Sequence, residues 1–201
     1  MTTPWDLLIV TMDVASDRPV EQGELSLALA GAELLDLIDS RTVTVDGESI
    51  VPGLQPQIDD RLLQEAASSL TRETPYESVD DWLWRRGRGL SSAYLAALEA
   101  EGQVTRQRHR WIPLRSDRIT LVDSPARRRA DDRWTSGEPV LAVLGAAAGL
   151  RDEPTEDLDH LADDATVTVL AAVNDAVREL EAVRQRRGIE DAAFDNVWRG
   201  E

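Results

Sequence analysis

The hydrophobic pattern is strongest over residues 24–39, ELSLALAGAELLDLID, where leucine and alanine leave no wide polar face. A helix that is apolar nearly all round is buried, with other elements packed around it. The run is shorter than the roughly 20 apolar residues that span a bilayer, and acidic residues flank it. Ala28, Ala30, Gly31 and Ala32 add a small-residue patch where another backbone can approach. This segment therefore predicts a central core helix.

Two stretches have the alternating pattern of β-hairpins. Over residues 42–51, β-branched residues alternate on either side of Asp46-Gly47, and Asp-Gly is the strongest short hairpin signal. A second hairpin is predicted over residues 104–114, with its turn near residues 107–109. Residues 119–122 are a candidate extension of that hairpin.

The remaining pattern is helical, with a period near 3.6 residues. Residues 5–14 fit either a short helix or a strand, and periodicity does not decide at this length. Ser78 is predicted to cap a helix that carries Trp82 and Trp84, Ser91 or Ser92 to cap the next one, and Gly102 to end it. Further helices are predicted over residues 58–70, 127–134, 139–150, 155–164 and 166–187, with a terminal helix or tail over 191–198. The predicted fold is mainly α, one helical domain over residues 1–201 wrapped round the central helix.

Composition narrows the functional classes. The chain has no cysteine, which excludes disulfides and thiolate chemistry. No signal peptide precedes the first element, so a cytoplasmic protein is expected. The sequence contains no GxGxxG, P-loop, HExxH or GxSxG motif, and its only histidines are His109 and His160. We therefore predict neither a metal site nor a cofactor, and an enzyme is the least favoured class.

Charge is distributed unevenly along the chain. The net charge is −16, and all 22 basic residues are arginine. Residues 85–133 contain twelve of those 22 arginines and six acidic residues. This quarter of the chain therefore carries a net charge of +6, and the remainder carries −22. A basic face on an acidic body is an oriented surface for anions. The alternative is that these arginines pair with the acidic remainder.

The order of these elements resembles the Golgi phosphoprotein 3 family, in particular its shorter bacterial members. The stretches that carry the resemblance are "SRTVTV", "IDDRLLQEA", "DDWL" and "YLAALEAEGQV", which follow the central helix in family order. The matching blocks are residues 27–45, 52–70, 79–83, 94–111 and 140–150. The resemblance implies a helical fold round one hydrophobic helix, with a hairpin that dips into the membrane. It also implies non-enzymatic, peripheral binding to acidic phosphoinositides, phosphatidylinositol 4-phosphate in eukaryotic members.

The resemblance also implies where the head group binds. In the family, a tryptophan and an arginine before the central glycine, and two arginines before the hairpin, hold the phosphate. The later pair falls on Arg88 and Ser91, counted back from Gly102. The earlier arginine falls on Ala30 and the tryptophan near Glu21.

The first hypothesis is a peripheral protein on the inner face of the membrane that binds anionic phospholipid or phosphoinositide head groups through arginines. Arginine presents a planar fork of donors that suits phosphate oxygens. The candidate head-group ligands are Arg85, Arg86, Arg88, Ser91, Arg106, Arg108 and Arg110. Trp111 and Ile112 are the candidate membrane-inserting residues, because such side chains anchor at the interface.

Two other classes use the same features. A helix followed by a basic hairpin is also the layout of a winged-helix nucleic-acid module, with residues 90–101 as recognition helix and 105–111 as wing. Ala93, Ala96 and Glu99 on the candidate recognition helix ignore or repel bases, so nucleic-acid binding is disfavoured. A scaffold that binds a protein partner is the third class.

Overall fold

The computed structural model of the chain describes residues 2–14, 19–107, 118–150 and 163–199. Over these ranges the fold is mainly helical with two small antiparallel sheets, as predicted. The helices are α1 (Thr3–Asp13), α2 (Gln22–Asp39), α3 (Arg61–Ser68), α4 (Val79–Arg86), α5 (Leu90–Ala100), α6 (Pro125–Thr135), α7 (Pro139–Ala147) and α8 (Asp164–Arg199). The strands are β1 (Val43–Asp46), β2 (Ser49–Pro52), β3 (Val104–Gln107) and β4 (Arg118–Leu121).

Helix α2 is the central helix that the hydrophobic pattern predicted. It contacts α1, α3, α4, α5, α7, α8 and β1, and residues 24–35 are buried without interruption. Gly31 allows the closest approach, because a Cβ there would lie 2.4 Å from Cγ2 of Val173 on α8. The small-residue patch is therefore where α8 packs against α2.

The apolar opening of the chain is helical, which settles the choice between helix and strand. Helix α1 packs on α2, α6 and α7, and Trp5, Leu7 and Ile9 are buried. The backbone N–H of Thr3 donates to Oδ2 of Asp36 at 2.8 Å, which ties the start of α1 to the end of α2.

The first hairpin forms as predicted. Strands β1 and β2 pair in the register Asp46↔Ser49, so a two-residue turn joins them. The N–H of Ile50 donates to the carbonyl of Glu77 at 2.9 Å, which connects the hairpin to the start of α4. Ser78 caps α4 as expected, since its Oγ accepts the N–H of Asp81 at 3.0 Å.

The second hairpin differs from the predicted one. Strand β3 pairs with β4 in the register Gln107↔Arg118, so the predicted turn near residues 107–109 and the returning strand that ends at 114 were wrong. The predicted extension provides the paired strand instead. Pro113 has no N–H for a ladder, whereas residues 118–121 alternate polar and apolar side chains. Residues 108–117 lie outside the described residues.

The C-terminal helix is longer than predicted. Helix α8 runs from Asp164 to Arg199 and takes in both the helix predicted over 166–187 and the terminal segment. The predicted acidic helix over 155–164 lies almost wholly outside the described residues. None of the helices in the described ranges combines the length and apolarity needed to cross a membrane.

Candidate functional site

The turn between α4 and α5 organises the candidate site. Helix α4 ends at Arg86 and α5 begins at Leu90, so Arg88 lies at the middle of a three-residue connection. Gly89 is the N-cap of α5 and has φ +71°, a left-handed conformation that favours glycine. Because glycine has no side chain, the N-cap residue itself provides no side-chain acceptor for the first N–H groups of α5.

Arg88 is exposed beside a groove of about 310 Å³ between α2, α4, α5 and α8. Trp84, Gln22, Ser92 and Leu180 line this Arg88 groove together with Arg88 itself. Within the described part of the chain, no acidic side chain forms an ion pair with Arg88. Its guanidinium is therefore available to an anion from solution.

Ser91, predicted either to cap α5 or to bind the head group, has an internal role instead. Its side chain is 6% exposed, and its N–H donates to Oγ of Ser26 at 3.1 Å. Its Oγ accepts from Oγ of Ser26 at 2.9 Å and donates to the carbonyl of Gln22 at 3.3 Å. The cap prediction was wrong because Gly89 takes that place, and the hydroxyl of Ser91 holds α5 against α2. Ser92, the next residue, is exposed at the groove.

Arg86 is part of a buried network. Its Nε donates to Oε2 of Glu33 at 2.7 Å, and its Nη2 donates to Oε1 of Glu33 at 2.8 Å and to the carbonyl of Leu62 at 3.0 Å. The hydroxyl of Tyr94 donates to Oε1 of Glu33 at 3.0 Å. Burial raises the pKa of Glu33 despite these donors, and burial likewise raises the pKa of Tyr94. This geometry commits the Arg86 guanidinium to the interior.

Arg85 forms a bidentate ion pair with a neighbouring acid, Glu77. Its Nε and Nη2 donate to the two carboxylate oxygens of Glu77 at 2.6 and 2.7 Å. The hydrogen bond to Glu77 raises the pKa of Arg85. The guanidinium also lies 5.2 Å from the ring centroid of Trp82, a cation–π geometry.

The arginines of α6 pair with acids in the same way. The pairs are Arg127–Asp13, Arg128–Asp123, Arg129–Asp6, Arg133–Asp6 and Arg133–Glu138, at 2.6 to 3.0 Å. Asp6 is 1% exposed, so two arginines converge on one buried carboxylate between α1 and α6. The alternative that the arginines neutralise the acidic remainder thus holds for α6 and for the end of α4.

The other two sequence-matched positions have contacts within the fold. Ala30 is fully buried and its carbonyl accepts Nε1 of Trp82 at 3.1 Å. Glu21 is the N-cap of α2, with its Oε2 3.9 Å from Nη2 of Arg184. Sequence reasoning missed Trp84 as a wall of the groove, although its spacing of four residues from Arg88 was a readable signal.

The hairpin candidates are only partly placed. The backbone of Arg106 pairs with Ile119 in the β3–β4 ladder, and its side chain lies outside the described part. Arg108, Arg110, Trp111 and Ile112 lie outside the described residues. Strand β3 follows α5 directly, so the hairpin leaves from the opposite end of the helix whose start lines the Arg88 groove.

The fold is that of a mainly helical protein built round one buried helix, and the Arg88 groove lies where α4, α5 and α8 meet α2. In the described residues, no group of three or more histidine, aspartate or glutamate side chains is placed to hold a metal ion. The family model for Golgi phosphoprotein 3 (GPP34) matches residues 4–185. The chain belongs to this family, whose members are generally non-enzymatic. No curated protein sequence matches the chain.

Proposed function

We propose that the protein is a non-enzymatic peripheral membrane protein that binds the phosphate of an anionic lipid head group in the Arg88 groove. Residues 85–133 contain seven arginines with described side chains, and six of them pair with acids. The single observation that carries the proposal is that the seventh, Arg88, lines a groove instead. Membership in the Golgi phosphoprotein 3 family supports the same function.

The surroundings of Arg88 favour a phosphate. A guanidinium offers several N–H donors in a planar fork. The start of a helix favours anions, because the helix dipole is positive there. The hydroxyl of Ser92 stands at the same helix start. Arg184 on α8 pairs with Glu24 at 2.7 Å, so that nearby acid is already neutralised.

The proposed partner is the inner leaflet of a membrane that contains anionic phospholipid or phosphoinositide, with phosphatidylinositol 4-phosphate as the first candidate. Arg85 is a secondary contributor, because its outer face remains exposed while Glu77 holds one edge. Arg106, Arg108 and Arg110 belong to the proposal as the hairpin's electrostatic contact, with Trp111 and Ile112 as membrane anchors. We leave Arg86 and Ser91 out of the proposed contact, because both side chains are engaged in internal hydrogen bonds.

The test is co-sedimentation with vesicles of neutral lipid, of anionic lipid, and of anionic lipid with phosphatidylinositol 4-phosphate. Wild type is compared with Arg88→Glu and with Arg72→Glu, a matched charge reversal at an exposed arginine beside a different groove. We expect Arg88→Glu to lose most phosphoinositide-dependent binding and Arg72→Glu to retain it.

Three other outcomes would overturn the proposal. Equal losses for the two variants would mean that net charge alone governs binding. No vesicle capture of the wild type would move the function to a protein partner. A duplex DNA titration runs in parallel, and tight, salt-sensitive DNA binding without vesicle capture would favour the winged-helix class.

A further inference from the structure

A second groove adjoins the Arg88 groove. It has a volume of about 230 Å³, lies between α1, α2 and α5, and shares Gln22, Ser91 and Ser92 with its neighbour. We name it the apolar groove after the side chains that form its walls: Leu8, Met12, Val20, Leu25 and Leu95. The two grooves therefore meet at the start of α5, one with a guanidinium and the other with aliphatic walls.

Two of the four polar side chains that line the apolar groove, those of Thr11 and Ser91, are already used inside the protein, and the other two, Gln22 and Ser92, lie where it meets the Arg88 groove. Oγ1 of Thr11 donates to the carbonyl of Leu8 at 2.7 Å. Oγ of Ser91 donates to the carbonyl of Gln22 and accepts from Ser26. A polar occupant would lose its hydration here and gain few hydrogen bonds, whereas an aliphatic occupant loses nothing. The chemistry of the walls therefore selects a hydrocarbon.

We infer that the apolar groove takes the beginning of an acyl chain from the phospholipid whose phosphate is bound at Arg88. The inference rests on the proposed function, because the shared mouth of the two grooves places a phosphate next to a hydrocarbon. The groove is smaller than the roughly 300 Å³ at which pockets for small molecules begin, so part of a chain fits and a second head group does not. The ligand is thus a phospholipid with its chain, and not its detached head group.

This inference separates two kinds of membrane binding. A protein that contacts only the lipid head group has the same affinity for the detached head group as for a short-chain lipid. A protein that also holds the chain gains affinity with every methylene that leaves water. The gain is roughly fourfold in the dissociation constant for each buried methylene.

The experiment is calorimetric titration of the full chain with monomeric phosphatidylinositol 4-phosphates that carry butanoyl, hexanoyl or octanoyl chains. Inositol 1,4-bisphosphate serves as the detached head group. We expect affinity to rise about 16-fold from butanoyl to hexanoyl, as two methylenes of one chain are buried, then to level off as the groove fills. Leu95→Trp and, independently, Thr11→Phe fill the groove and should remove the chain-length dependence while head-group affinity stays. Ala96→Trp, on the exposed side of α5, is the control and should keep it.

The outcomes distinguish the two proposals. Head-group binding that Arg88→Glu abolishes, without any chain-length dependence, overturns the acyl-chain inference and leaves the proposed function standing. Chain-length dependence that persists in both filled variants also overturns it. No binding of any probe overturns both proposals together.

Discussion

Arg86 and Arg88 are two residues apart and have opposite roles. Arg86 turns inward to Glu33, which is fully buried, and satisfies that carboxylate with two hydrogen bonds. Arg88 turns outward to a groove. A buried carboxylate without a cation is costly, because the ion has lost its hydration. One guanidinium therefore stabilises the core, and the other remains available for binding.

Replacing Arg86 with methionine should destabilise the protein by about 3 to 5 kcal/mol, because Glu33 stays buried without its cation. The free energy of unfolding, measured by urea denaturation, checks this. Arg61→Ala is the control, since it breaks only an exposed pair with Glu65 and should change stability by less than about 1 kcal/mol. The double variant Glu33→Leu/Arg86→Met should recover much of the loss. A cost equal to that of Arg61→Ala would contradict the role given to Arg86.

The raised pKa of Asp36 predicts that the stability of the protein depends on pH. Burial raises the pKa of Asp36 from 3.8 to about 6, although the N–H of Thr3 donates to it. The folded protein therefore holds this proton more tightly than the unfolded chain does. The contribution of Asp36 to the free energy of unfolding should fall as pH rises from about 4 to about 6, by about 3 kcal/mol, and stay level above.

The measurement is urea denaturation of wild type and Asp36→Asn at several pH values between these limits. The variant cannot ionise, so its stability relative to wild type should increase by up to about 3 kcal/mol from pH 4 to pH 7. Asp59→Asn, at an exposed aspartate, is the control for a general change in charge. Parallel curves for wild type and Asp36→Asn would refute the prediction.

At the scale of elements, the two ends of α5 position the two proposed contacts. The Ser26–Ser91 bonds hold the start of α5 against α2, which fixes Arg88 and Ser92 over the groove. The other end of α5 leads into β3, which pairs with β4 across a ten-residue connection, 108–117. That connection contains Arg108, Arg110, Trp111 and Ile112. The proposed phosphate contact and the proposed membrane contact thus belong to opposite ends of one helix.

Reversing three hairpin charges together, Arg106→Glu, Arg108→Glu and Arg110→Glu, should reduce binding to anionic vesicles at least 100-fold. Each basic residue near an anionic leaflet contributes about 1 kcal/mol, and reversal adds repulsion. The partition coefficient from co-sedimentation measures the loss. The control reverses three exposed arginines elsewhere, Arg61, Arg72 and Arg187. If the hairpin variant bound as the control does, the hairpin would not be the contact.

At the scale of the whole molecule, the net charge of −16 opposes an anionic membrane. Among the described side chains, the arginines of the basic quarter do not form one continuous cationic face, because six of the seven are paired with acids. Five of the six arginines pair with an acid outside residues 85–133, so most of the described positive charge of this quarter is neutralised by the acidic remainder. The proposed lipid binding would therefore depend on a few local cations, Arg88 above all.

Salt should affect the two proposed contacts differently. Added salt shortens the Debye length from roughly 10 Å at 0.1 M to 3 Å at 1 M. Interactions between exposed charges therefore weaken most. Between these limits, capture by generic anionic vesicles should fall steeply. The preference for phosphatidylinositol 4-phosphate should fall less, because Arg88 acts at short range in a groove. Vesicle co-sedimentation at both salt concentrations checks this, and equal losses would mean that no enclosed site contributes.

Sequence reasoning succeeded where the determining interactions are local. The apolar run of α2, the Asp46-Gly47 turn and the cap at Ser78 each depend on residues within a few positions of one another, and all three were confirmed. It failed at β4, where the choice of strand depends on which segment reaches the edge of β3. It also failed at Ser91, whose partner Ser26 is 65 residues away.

The amino-acid sequence by itself determined the helical class, the central helix and the family, because periodicity and the order of motifs are properties of the linear chain. Only the tertiary structure decided which arginines are available. Arg86 is neutralised by Glu33, 53 residues distant, while Arg88 meets the groove that α2, α4, α5 and α8 create together. The sequence specifies where the charged residues are. Whether an arginine is paired depends on which distant acids the packing brings within reach.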